Sequence, residues 1–327
     1  MSGRVTIKSI ARDLGISHMT VSRALSGHPS VLPATKDSVL KRAKELGYVR
    51  NAAASVMRGD GARIVGLLLP NIINEFYARF ANTMALKCED AGLQLIIHLT
   101  NDDIAAEANS LKQLHEVQAH AVVMVPSPGS LDEELPHLRA MSVVQLIRKR
   151  DIGFGVPSIL VDDFDAIHDA VVHLAQAGHR DIAFIGASAD LSSGKSRRAA
   201  YEAGLVSAGL SLQTELLQTG SPTFDCGHDK AHSLLKEGTA TAIVCGGFEM
   251  SNGALSSIIQ SGKRPGPDIG FIGYGDPSFY AWVGGGISTI SVPVDELAFK
   301  AVALISDEVD ARRDLAVPFM ASLRIRN

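Results

Sequence analysis

Cysteines and long apolar runs are scarce in this chain. Cys88, Cys226 and Cys245 lie far apart and form neither a CxxC pair nor a zinc-ligand spacing. That excludes a disulfide framework and a zinc module, and it predicts reduced, buried thiols. No uninterrupted apolar stretch reaches bilayer length. The opening MSGRVTIK carries no apolar segment of the secretory kind, so neither a membrane span nor export is expected, and a cytoplasmic location is. The eleven histidines are scattered. His228 and His232 stand four apart, a spacing that can ligate metal, but no matching constellation accompanies them. No metal, cofactor or nucleophilic triad is therefore expected, and an enzyme is not. What the chain does have is length for two or three compact units, and 46% hydrophobic residues for a large core.

Charge is distributed unevenly. The whole chain carries −4, yet residues 1–62 hold ten basic and four acidic side chains, a net of +6, leaving −10 for the rest. A basic head on an acidic body predicts that only the head meets a polyanion. Within it, Ile7, Ile10, Ala11 and Leu14 recur at helical spacing, with Thr6 as N-cap and Gly15 as terminator. Ser17 caps a second helix whose inward face is Val21, Ala24 and Leu25. Two short helices joined tightly around a glycine are a helix-turn-helix signal. A third helix is predicted over 33–46, with Val39, Leu40, Ala43 and Leu46 inward and Gly47 at its end. The second helix keeps His18, Met19, Ser22 and Arg23 for its outer face. Arginine can read guanine O6 and N7 bidentately, and methionine can meet a thymine methyl. Thr20 and Ser22 suit phosphates, which fix register. A helical bundle without DNA function is the alternative to this reading.

Residues 6–25, TIKSIARDLGISHMTVSRAL, and residues 45–51, ELGYVRN, resemble the DNA-binding head of the LacI/GalR family of repressors. The resemblance implies that His18, Met19 and Arg23 read bases, with Thr6, Ser17, Thr20 and Ser22 beside the DNA. It also implies that 51–58 form a hinge helix bearing Asn51, Ala54 and Met57. Met57 stands where the family usually has a leucine wedged into the minor groove, a device that kinks the duplex. Arg50 and Leu32 depart from the family's usual proline and serine.

Beyond residue 63 short apolar runs alternate with helical stretches. Strands are predicted at 64–69, 95–98, 121–125, 143–147, 158–161, 182–185, 242–244, 268–272 and 288–291. Helices are predicted near 75–91, 104–118, 131–141, 166–176 and 195–208. Repeated βα units imply doubly wound parallel sheets, and about 260 residues divide most naturally into two lobes with a cleft between them. The expected architecture is α/β: an all-α helix-turn-helix head over 1–50, a hinge and linker over 51–62, one lobe over 63–162 with 292–317, and a second over 163–291 with 318–327. Residues 174–186, LAQAGHRDIAFIG, resemble the same family's helix, turn and strand. In plain physical terms Gly178 caps the helix, and His179 and Arg180 complement its dipole. The family resemblance implies a periplasmic-binding-protein-like body with a small effector between the lobes, a homodimer, and a pseudo-palindromic double-stranded DNA operator. No long C-terminal heptad repeat follows Pro318, which favours a dimer over a tetramer.

Candidate effector-binding residues follow. Arg197 opens RRAAY at the position of a family arginine. Phe76 and Tyr77 stand where the family places aromatics. Ser127 and Arg148 follow strands of the first lobe. Phe248, after Gly247, replaces part of a family Asn-Asp pair, and Gly275 replaces a family aspartate, leaving Asp276 next. With carboxylates lost and arginines kept, an acidic effector is expected, a sugar acid or sugar phosphate, since arginine grips such groups bidentately. Two rivals stand beside this reading. ADLSSGKS at 189–196 satisfies a loose phosphate-loop pattern, though its first glycine is missing and its strand ends too early. A small-molecule receptor without a DNA role suits the body but not the basic head.

Overall fold

The computed structural model describes residues 5–48, 63–129, 134–306 and 316–326. The hinge positions Asn51, Ala54 and Met57 lie outside the described residues. The chain divides at residue 63 into a helical unit and a larger α/β unit.

The helical unit is α1 (Ile7–Leu14), α2 (His18–Leu25) and α3 (Pro33–Glu45). Its boundaries are set by short polar side chains. Thr6 accepts from the Ser9 amide while the Ser9 hydroxyl accepts from the Thr6 amide, a reciprocal cap. Gly15 ends α1 at φ 64, and the Ser17 hydroxyl accepts from the Thr20 amide at 3.0 Å to start α2. Ile10, Ala11, Val21, Ala24, Val39 and Ala43 form the core, and Arg42 ties α3 to Asp13 of the α1 turn at 2.6 Å. Leu40, expected inward, is 44% exposed. Val39 and Ala43, four apart, already fill the narrow face that α3 turns to its neighbours.

The α/β unit contains two six-stranded sheets. The first is built from β1 (Arg63–Leu69), β2 (Leu93–Leu99), β3 (Ala121–Met124), β4 (Ser142–Leu146), β5 (Ser158–Asp162) and β11 (Ala316–Met320), ordered β11-β5-β4-β3-β1-β2. The second comprises β6 (Ile182–Ala187), β7 (Leu217–Gly220), β8 (Ala242–Gly246), β9 (Gly270–Tyr274), β10 (Ser288–Ser291) and β12 (Ser322–Arg324), ordered β12-β10-β9-β8-β6-β7. The two lobes thus repeat one strand order. Strands β6, β8 and β9 are buried throughout, as befits parallel strands covered on both faces. The flanking helices are α4 (Glu75–Asp90), α5 (Ile104–Glu116), α6 (Leu135–Arg139), α7 (Phe164–Gln176), α8 (Ser192–Ser207), α9 (Phe224–Glu237), α10 (Phe248–Gln260) and α11 (Val294–Ile305).

The chain leaves the first sheet after β5, returns through α11 after β10, and crosses again between β11 and β12. That last crossing corrects one expected boundary. Pro318, Phe319 and Met320 pair in parallel with Leu160, Val161 and Asp162, so they belong to the first lobe, and only the residues after Ala321 reach the second sheet. At the end of α7 the Arg180 guanidinium donates to the Ala175 carbonyl at 2.8 Å, meeting the negative end of the helix as its position suggests. Among the described residues no helix is long and apolar enough to cross a membrane.

Candidate functional site

In a parallel sheet of this order a ligand crevice opens beyond the carboxyl ends of the strands, where the order reverses. The reversals fall between β1 and β3 and between β6 and β8. One cavity is lined from both. Pro70, Asn71 and Asn74 follow β1, Asp102 follows β2, Ile147 and Arg148 follow β4, and Ala187, Gly246 and Gly247 come from the ends of β6 and β8. It measures about 60 Å³, far below the roughly 300–1,000 Å³ of a typical ligand pocket. The lobes are drawn together around it. Phe76 meets Phe248 across the cleft with ring centroids 4.9 Å apart, the Glu75 carboxylate accepts from the Ser278 amide at 3.0 Å, and the Lys149 amide donates to the Ser192 hydroxyl at 3.1 Å.

Arg148 and Arg197 both line the cavity, and both are already paired. Arg148 donates to the two oxygens of Asp102 through its two terminal nitrogens. Arg197 donates from Nε to Asp163 at 2.6 Å and from Nη1 to the Gly246 carbonyl at 3.1 Å. Its guanidinium lies 4.3 Å from the Tyr274 ring centroid, and the Tyr274 hydroxyl donates to the same Asp163 oxygen. Burial opposes both cations, but Tyr77 and Asp102 around Arg148, and Asp163 and Tyr274 around Arg197, outweigh it and hold the guanidinium groups protonated. Neither arginine is a free cation, so an acidic effector would have to compete with Asp102 and Asp163 for them. Each arginine brings its own carboxylate, and such a pair offers donors and acceptors together, which is the chemistry that grips hydroxyls. The sequence reading missed Asp102 and Asp163. Both stand just past a strand's carboxyl end, the one signal that could have found them.

Asn74 caps α4 by accepting from the Phe76 amide at 3.0 Å, which sets Phe76 and Tyr77 in its first turn, and both rings line the cavity. Phe248 lines it too and meets the Tyr274 ring edge-on at 5.3 Å. Two departures from the family pattern are physically linked here. Gly275 has φ +99, and a Cβ there would lie 1.8 Å from the Phe248 ring; the phenyl ring occupies the space a side chain at 275 would need.

Asp276 is a correction. The chain turns at Gly275 and Asp276, both at positive φ, and Arg326 and Arg324 hold the Asp276 carboxylate at 2.5 and 2.8 Å. It does not line the cavity. Ser127 lines a second, polar cavity of about 220 Å³ that shares Arg148 and Leu191 with the first and also contains Lys149, Arg150 and Ser192. Its amide donates to Glu107 at 2.6 Å. The phosphate-loop reading meets a packing explanation. Gly194 is inside α8, and a Cβ there would stand 2.1 Å from the Ser188 carbonyl, so the glycine lets the helix close onto the turn after β6.

In the helical unit α2 buries Val21 and Ala24 and leaves His18, Met19 and Arg23 exposed, Met19 by 58%. Thr6 and Ser17 are exposed caps, and Thr20 and Ser22 are half-buried. Among the described residues Arg23 makes no ion pair.

A helix-turn-helix unit joined to a two-lobed body with a cavity at paired switch points defines a DNA-binding regulator with a ligand-binding body. Residues 6–51 match the bacterial regulatory proteins of the lacI family, and residues 62–305 match the periplasmic binding proteins and sugar binding domain of the LacI family. The chain belongs to the LacI family and is a transcriptional regulator. Catabolite control protein A of Priestia megaterium is 27% identical over 305 residues, covering 92% of each chain. The lac repressor dimer bound to operator and the anti-inducer ONPF aligns with a TM-score of 0.83 at 20% identity, over 99% of this chain and 98% of that one. The transcriptional regulator CelR in complex with cellobiose aligns with a TM-score of 0.69 at 22% identity, over 99% of both chains.

Proposed function

We propose that this protein is a cytoplasmic repressor without enzymatic activity. Two copies bind a pseudo-palindromic operator, and a hydroxylated small molecule held between the lobes changes their affinity for DNA. His18, Met19 and Arg23 read base edges; Thr6, Ser17, Thr20 and Ser22 meet the backbone. Asn51, Ala54 and Met57 act at the minor groove. The observation that carries the reading is the outer face of α2, where Arg23 is exposed with no carboxylate partner among the described residues. Support for a dimer comes from a groove of about 560 Å³ in which Ile73, Phe224, Leu255, Ile259, Phe279 and Val283 stand with Glu249, Asn252, Ser256 and Gln260, beside Trp282 at 73% exposure. Contiguous exposed apolar surface of this kind marks an association site, and a second copy satisfies it with two-fold symmetry. The ligand acts through its different affinity for open and closed lobes.

The test is selection of random duplex DNA on the full-length protein, followed by mobility-shift titration at fixed salt. A palindromic sequence should be enriched. Arg23→Ala should weaken binding to that sequence by about 1–3 kcal/mol, or roughly fivefold to 150-fold, while leaving non-specific binding nearly intact. Failure to enrich any sequence would sink the reading.

A further inference from the structure

One charged side chain around the cavity stands unpaired among the described residues. Arg148 is matched by Asp102, and Arg197 by Asp163. Glu249 lines the same cavity, and among the described residues it makes neither a hydrogen bond nor an ion pair. Its carboxylate is half-buried, and its field acts on Tyr77 beside it. Burial pushes the Glu249 carboxyl up, so a cation beside it would offset the cost of holding its charge. Phe76, Tyr77 and Phe248 supply aromatic faces to the same cavity. Aromatic faces attract cations through their quadrupoles, and the protein already uses this attraction internally, with Arg197 over Tyr274 at 4.3 Å.

The helices around the cavity supply the complementary requirement. Neither α8 nor α10 has a side-chain N-cap, although Leu191 and Ser193 of one and Gly247 and Phe248 of the other line the cavity. The N-termini of α6, α7 and α11 also lack a side-chain cap, whereas α4, α5 and α9 have one. Uncapped first-turn N–H groups take acceptor oxygens from a ligand. The cavity therefore asks for hydroxyl oxygens and a positive charge in one molecule.

We propose that the effector is a hydroxylated amine of the amino-sugar class, its ammonium group received by Glu249 among the rings of Phe76, Tyr77 and Phe248. This rests on the regulator reading and deepens it. The rings of Phe76 and Phe248 touch when the cleft is closed, so the ligand enters by separating them.

The test is calorimetric titration of the full-length protein with matched probes: glucosamine against glucose, galactosamine against galactose, and glucuronate and glucose 6-phosphate as anions. An amine should bind at least tenfold tighter than its parent sugar, and Glu249→Gln should abolish that preference, read as the ratio of the two affinities. Glu249→Asp, which keeps the charge, should retain part of the preference and checks that the site still folds. Tighter binding of a neutral or anionic probe, no binding by either amine, or a preference that survives Glu249→Gln would each overturn the proposal. Operator binding by the wild-type protein, measured separately, distinguishes this from failure of the regulator reading, because it does not depend on which probe binds.

Discussion

The two arginines of the cleft are held in opposite ways. In the second lobe Arg197 projects from the regular helix α8 into a balanced cluster of one carboxylate, one tyrosine hydroxyl and one carbonyl. In the first lobe Arg148 sits in the turn after β4, next to Ile147 at φ 64, and its partner Asp102 sits after β2 at φ 56, next to Asn101 at φ 52. A β-branched residue at positive φ is a strained conformation, costing on the order of 1–3 kcal/mol, and it persists only where its surroundings over-determine it. One lobe presents its arginine from a regular helix; the other presents it from a turn at positive φ, held by the ion pair together with backbone bonds such as Ile147 N–H to the Ile159 carbonyl at 2.8 Å.

The sharpest way to break this contrast is to remove each carboxylate in turn. Asp163→Asn leaves Arg197 buried without a counter-charge and should cost about 3–5 kcal/mol. Asp102→Asn should cost less, about 1–3 kcal/mol, because the Asp102 side chain is 25% exposed and water can replace part of what is lost, whereas Asp163 is 3% exposed. Urea unfolding of the three proteins measures both. Equal losses would mean that the two arginines are held alike.

A second prediction concerns the ring that closes the cleft. Gly275→Ala sets a methyl against Phe248 and forces an L side chain to φ +99, so it should cost about 2 kcal/mol or more. In Phe248→Ala/Gly275→Ala the clash disappears while the backbone strain remains. The double mutant should be more stable than the sum of the two single losses predicts. Simple additivity would show that the ring and the glycine are independent.

The legible and illegible parts of the molecule divide along the same physical line. The head's helices could be read because their ends are written locally, in Thr6, Gly15, Ser17 and Gly47. The central strands could be read from buried apolar runs. Arg148, Arg197, Phe76, Tyr77 and Phe248 were expected at the cleft and do line the cavity. The partners Asp102 and Asp163 could not be read from spacing, because they lie 46 and 34 residues from the arginines they hold. Asp276 was misplaced because its partners, Arg324 and Arg326, come from a tail whose strand pairing is entirely non-local. Leu40 was misplaced because helical period alone does not say how wide the buried stripe is.

The smallest predicted effect separates the lobes by charge count. In the first lobe Arg150 Nη2 meets Glu107 at 2.5 Å and Glu134 at 2.6 Å, two buried carboxylates for one guanidinium. The second oxygen of Glu134 has no hydrogen-bond partner. Burial above all, with Glu107's charge behind it and Arg150 opposing, pushes the Glu134 carboxyl up to about 7 from its usual 4.5. An acid whose pKa is raised on folding binds its proton more tightly in the native state. Its contribution to stability is therefore complete below pH 4.5, declines as pH rises through 7, and is constant above that. Glu134→Gln removes the titration while keeping an acceptor for Arg150. The variant should gain on wild type from pH 5 to pH 8, by on the order of 2 kcal/mol at the upper end. Thermal melts at four pH values across that range would measure the gain. Parallel curves would mean that Glu134 stays ionised throughout. The first lobe's surplus carboxylate would then cost nothing to keep charged, and the contrast with the balanced Arg197 cluster would rest on backbone strain alone.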